Sequence, residues 1–302
     1  MSIRANLTAI VMAGAATMLF GVGCGASADG DTTDSDDLAI IAKDPLAMPK
    51  TILDFEKTQN WGSHHLEWHT VRRWDGLSSS DQAYAKKKGW SRADLQEGQK
   101  GNGLEFLAMH RVMIHTLTTK FPSNASLFQG WDSPPTNAKD KVDPLPGDAT
   151  TPFDPAKLPA IDKLMNHLAD FKTDDELGLY IETTLRPTSK DPNARSTDHS
   201  AGLHNFVHNR FMDPNSKIDI GDPSVNLQNK RFWRLHGWIE SRWTAFRALK
   251  KLSDSDPAYQ AAIKKAEDML MPGAKGLPGG GLGASEPPPA SLRKFFEQEG
   301  GD

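Results

Sequence analysis

Along most of this chain the apolar positions recur every three to four residues, the spacing of helices that bury one face. Leu104 to Lys120 carries Leu104, Leu107, Val112, Ile114 and Leu117 on that rhythm and stops at Phe121-Pro122. Pro159 to Phe171 and Thr173 to Leu185 follow, the second opening on Thr173-Asp174-Asp175-Glu176, a capping-box pattern. A fourth helix is predicted from Asp198 to Phe211, ended by Asp213-Pro214. The longest, Asn229 to Leu252, sets Trp233, Leu235, Ile239, Trp243 and Phe246 at helical spacing, and Pro257 to Met271 completes the set. The connections 132–155, 186–197 and 212–228 are long and rich in Pro, Gly and Asp, and no stretch alternates as a strand. The expected fold is therefore mainly α, with long irregular loops and no internal repeat.

Outside 48–271 the pattern changes. Met1 to Gly23 has one charge, Arg4, and an apolar run from Leu7 to Gly23, the length of a signal h-region and short for a membrane span. The only cysteine, Cys24, follows directly, and Gly-Cys after an apolar run resembles a bacterial lipobox, in which Cys24 would be acylated and become the mature N-terminus. Ala26-Ser27-Ala28 offers ordinary cleavage instead. Both readings predict export: the first anchors the protein by lipid to a bacterial cell membrane, at the periplasm or cell surface, and the second secretes it. Residues 24–47 form an acidic tether that lacks the apolar area to order itself, and 272–302 is a Pro/Gly-rich tail with a short segment around Phe295-Phe296.

Composition then excludes classes. A single cysteine rules out intramolecular disulfides and Cys-rich metal sites. Thirty-five basic against 39 acidic residues leave no surplus for nucleic acid. The ten histidines are the unusual feature. His204 and His208 stand four apart, so on a helix they stack about 6 Å apart on one face and can grip one ion. A third nitrogen is available from His236 on the next long helix. Alone, such a pair is common on helices without any metal.

The neighbouring residues add specificity. His204-Asn205-Phe206-Val207-His208, then Phe232-Trp233-Arg234-Leu235-His236-Gly237-Trp238-Ile239-Glu240 and Trp243, resemble the second copper site of the tyrosinase, catechol oxidase and hemocyanin group, H-N-x-x-H followed by F-W-x-H-H-x-x-I-D and a tryptophan. Phe106-Leu107-Ala108-Met109-His110-Arg111 resembles that family's F-L-P-W-H-R at the first site, and Trp131-Asp132 its Y-W-D. The resemblance implies a four-helix bundle core holding two coppers, each on three histidines, which use O2 to oxidise phenols or catechols or only carry oxygen. It assigns His204, His208 and His236 to the second copper and His110 to the first. It also places Asn205 where tyrosinases help deprotonate phenols through a bound water.

This chain departs from the family in several places. Gly101 stands where the first site has a loop histidine. The glutamate that holds the water for Asn205 would fall near Arg195 and is missing there. The first His of the family's pair is Leu235, and its Asp is Glu240, a candidate to orient a ligand imidazole from behind or simply a helix carboxylate. Upstream, His65 and His69 are i, i+4 and with His110 would rebuild the first site from one helix face; otherwise that site has too few nitrogens and one copper remains. His64 points about 100° from His65, and His115 lies about 140° round the helix from His110, so neither should face the ion. His115, His167 and His199 read as structural or surface groups. Two functions follow: an exported copper oxidase acting on phenols, catechols or aminophenols with O2, or a surface lipoprotein that binds one copper or oxygen without turnover. A zinc hydrolase on the same three histidines is a third class, and no H-E-x-x-H base supports it.

Overall fold

The computed structural model describes residues 40, 41, 43–136, 153–188, 194–213, 215–271 and 288–298; the leader, Cys24 and most of the tether lie outside the described residues, as does 272–287 of the tail. The chain is mainly α. Helices α1 (Lys50–Thr58) and α2 (Trp61–Arg72) meet at Asn60, whose positive φ of 53° turns the backbone between them. Helix α3 (Ser79–Lys87) starts on Ser78, whose hydroxyl accepts from the Asp81 amide. Helix α4 (Asn102–Lys120) follows Gly101, at φ 98°. Twelve of its 19 residues are buried, which is what a nearly all-round apolar helix requires.

Helix α5 (Leu158–Asn166) is shorter than its apolar pattern, because the chain tightens into a 3-10 turn at Leu168–Asp170. In α6 (Asp174–Glu182) Thr173 caps the Glu176 amide, and the Glu176 carboxylate reaches back to the Lys172 amide. Two three-residue strands, β1 (Leu185–Pro187) and β2 (Arg195–Thr197), pair antiparallel where an irregular loop was expected; three residues per strand are too few to leave an alternating pattern. Helix α7 is confined to Leu203–Arg210, so His199 is not on it. Helices α8 (Lys230–Lys250), capped by Asn229, and α9 (Pro257–Leu270), capped by Asp256, complete the body. Among the described residues no helix is long and apolar enough to cross a membrane.

Helix α4 is the hub, packed against α6, α8 and α9. Its contact with α6 is backbone to backbone: a Cβ on Gly178 would lie 2.1 Å from the Gly103 carbonyl oxygen, so only glycines allow the approach. On another face Arg111 lies over the Trp243 ring at 3.6 Å, ion-pairs with Glu240 and donates to Tyr259 and Thr244, joining α4, α8 and α9. Trp61, Trp233, Trp238 and Trp243 are fully buried in the main core. A smaller core gathers Leu66, Trp74, Leu77 and Trp90 around Leu292 and Phe296 of α10 (Ala290–Gln298), so the tail ends docked on α2 and α3.

Candidate metal centre

The six histidines singled out in the sequence come from four helices, α2, α4, α7 and α8, and meet in one buried cluster. None is more than 8% exposed. His65 and His69 have ring centroids 4.7 Å apart, and His110 lies 5.8 and 6.3 Å from them. His110 stacks on His236 at 4.1 Å, and His204 lies 5.1 Å from His236 and 4.5 Å from His208. Candidate ligand nitrogens of His65, His69 and His110 all fall within 4.8 Å of one another, as do those of His110, His204 and His236. His208 completes the second side of the cluster rather than joining that tightest triplet.

The outer nitrogens determine which way the inner ones face. Nδ1 of His65 donates to the Pro223 carbonyl at 3.0 Å, His110 to Phe106 at 2.9 Å, His208 to Ile220 at 2.6 Å and His236 to Phe232 at 2.7 Å. Nδ1 of His204 donates to Oδ1 of Asn205 at 2.9 Å. Each of these five neutral rings therefore carries its proton on Nδ1 and turns an Nε2 lone pair inward. Those nitrogens sit 3.2 Å apart in His65 and His69 and 3.1 Å apart in His204 and His236, and in His110 and His208 Nε2 is buried with no partner. Burial pushes the His65 and His208 imidazoles down to about 4 and holds His69, His110, His204 and His236 well below their ordinary value, with neighbouring imidazoles adding to the effect in those four. Neutral rings with inward Nε2 atoms, two of them buried without any donor, make a cluster that fits a cation taken at Nε2.

The surrounding chain places these rings by close approach. A Cβ on Gly237, next to His236, would lie 2.3 Å from the Phe128 carbonyl oxygen, so glycine lets that loop reach α8 at the cluster. Phe232 stacks on His236 at 3.9 Å and Phe106 meets both His110 and His204 at 4.8 Å, walling the inner side with hydrocarbon. The outer side opens at a small recess of about 30 Å³ lined by His69, Arg73, His204, Asn205, His208 and Phe296.

Two acidic residues behind this mouth carry no local sequence signal. Nδ2 of Asn205 donates to Oε1 of Glu97 at 3.3 Å, and Glu97 ion-pairs with Arg73. The acidic partner of Asn205, sought near Arg195, is thus present and comes from the 88–101 connection. Burial, and then the nearby Glu97 carboxylate, push Glu182 well above the usual carboxylate range. Glu240 does not orient a ligand imidazole: both its oxygens take Arg111 at 2.9 Å, and Nδ1 of His236 is satisfied by Phe232. His115 is exposed with Nε2 3.6 Å from Glu240, and His167 is exposed beside Asp162.

Compared with known proteins, the chain matches no family model, no curated protein and no solved structure. The class that fold and site define is a mainly α protein with a buried six-imidazole centre.

Proposed function

We propose that this chain is a tyrosinase-like type-3 copper protein, an exported oxidoreductase that uses O2 and two coppers to oxidise phenols, catechols or aminophenols. In that reading α2, α4, α7 and α8 form the four-helix bundle core. His65, His69 and His110 hold one copper, and His204, His208 and His236 the other. The observation that carries it is the convergence of six buried, neutral imidazoles, five of which have their outer nitrogens committed to carbonyl or amide oxygens. All-imidazole donors suit copper, which when bound supplies redox chemistry between its two valences. A zinc hydrolase would need only one three-ligand site with an open position, which leaves three of the six imidazoles without a task. The grouping of His65 and His69 with His110 favours two ions over the single-copper alternative.

The chain's own residues have three tasks. Phe106 and Phe232 exclude water from the inner nitrogens. Asn205 lines the mouth and links it to Glu97, which would receive the proton of a phenol bound there. Phe296 fills the mouth, its ring 6.1 Å from His69 and 5.3 Å from the Arg73 guanidinium, so the recess has room for water but not for an aromatic ring until Phe296 moves. Cys24 would provide the lipid anchor.

Copper content per chain after reconstitution, paramagnetic resonance and O2 uptake with a phenol and catechol panel test the reading together. Two coppers per chain, coupled and without a paramagnetic signal, with catechol-dependent O2 uptake, are expected. One copper with an ordinary paramagnetic signal would overturn the dicopper assignment.

A further inference from the structure

A second cavity lies away from the histidines, between the α1–α2 junction and the loop that leads into α8. Its volume is about 260 Å³, several times what a single water needs. Glu56 lines it, is 4% exposed, and has no hydrogen-bond partner on either oxygen. Oε1 of Gln228, which also lines the cavity, is likewise buried and unpartnered. Lys57 is the one cation on the lining and makes no hydrogen bond to Glu56. Ile41, Leu53 and Leu227 supply an apolar side.

We propose that this cavity is a binding site for a small primary alkylammonium compound, with the ammonium against Glu56 and Gln228 and the alkyl chain against Ile41, Leu53 and Leu227. On binding, Glu56 would release its proton to solvent, and its two oxygens with Oε1 of Gln228 would then give three acceptors for the three N–H groups of a primary ammonium. Burial alone pushes Glu56 well above the usual carboxylate range. Two of the wall segments pack closely against each other. A Cβ on Gly62 would meet the Ser224 carbonyl oxygen at 2.4 Å, which clamps the loop wall against the start of α2. That same loop carries the Ile220 and Pro223 carbonyls that orient His208 and His65. The site is nevertheless distinct from the metal centre, and its test does not depend on copper.

The test is calorimetry and thermal melting of the full chain with butylammonium and agmatine, with n-butanol, Ca2+ and Mg2+ as controls. Both amines should bind and raise Tm, butanol and the divalent ions should not, and Glu56→Gln should weaken amine binding at least about tenfold while copper uptake is unchanged. Ser63→Met, which fills the cavity from another lining position, should abolish binding even if Glu56→Gln folds poorly. Equal binding of butanol, preference for a divalent ion, or no binding by any probe would each overturn the proposal. Loss of copper binding with amine binding retained would instead count against the dicopper centre.

Discussion

Lowering the pH should begin to destabilise the metal-free protein near pH 6.5, before ordinary carboxylates titrate, because its centre is built from buried neutral imidazoles. His65 and His208 have pKa values of about 4 in the folded chain against 6.5 for a free imidazole. The unfolded chain thus binds more protons between those limits, and stability is lost as pH falls through them. A shift of that size is worth about 3 kcal/mol for each, or about 7 kcal/mol for the two, within the roughly 5–15 kcal/mol of a whole domain. His69, His110, His204 and His236 act in the same direction. Glu56 and Glu182 act in the opposite one, since their raised values favour the fold at low pH and withdraw that support as pH rises. With six histidines against two glutamates, the denaturant midpoint of chelator-stripped protein should fall steadily from pH 6.5 and approach zero near pH 4. Copper competes with protons for the same Nε2 lone pairs, so the loaded protein should release metal over the same window. A midpoint that stays flat between pH 7 and 4.5 would refute the neutral-imidazole account.

Other perturbations probe the surroundings of the centre. Phe296→Ala should widen the mouth and lower KM for phenols severalfold in a steady-state oxidation assay, with copper content unchanged; an unaltered KM would show that Phe296 does not bar entry. Glu97→Gln should reduce kcat on phenols about 100-fold and change its pH profile while leaving copper bound, whereas an unchanged profile would remove Glu97 from proton transfer. Gly237→Ala must push the Phe128 carbonyl away from α8, so about 1–3 kcal/mol of stability should be lost in denaturant melts together with weaker copper retention; wild-type stability would mean the loop gives way freely.

The residues show why parts of this were readable without coordinates. The body helices were legible because periodicity and caps act within four residues: Thr173, Asn229 and Pro257 mark starts that the folded chain uses within a residue. The i, i+4 pairs His65/His69 and His204/His208 have their relation fixed by helix geometry alone. Glu97 and Asn205 meet across 108 positions, Arg111 and Glu240 across 129, and no local pattern records such pairings. The Arg111 partner of Glu240, the Glu97 partner of Asn205 and the short β1–β2 pair therefore leave no mark in the local sequence.

Residue order alone thus determined a mainly α chain, the starts of α6, α8 and α9, and which histidines share a helix face. Tertiary structure decided that four helices bring six of those histidines into one buried cluster, that a tail helix lays Phe296 across its mouth, and that Glu56 faces a cavity without a partner. The physical division is between interactions closed within one helical turn, which residue order encodes directly, and desolvation and long-range hydrogen bonding, which exist only once distant segments have excluded water together.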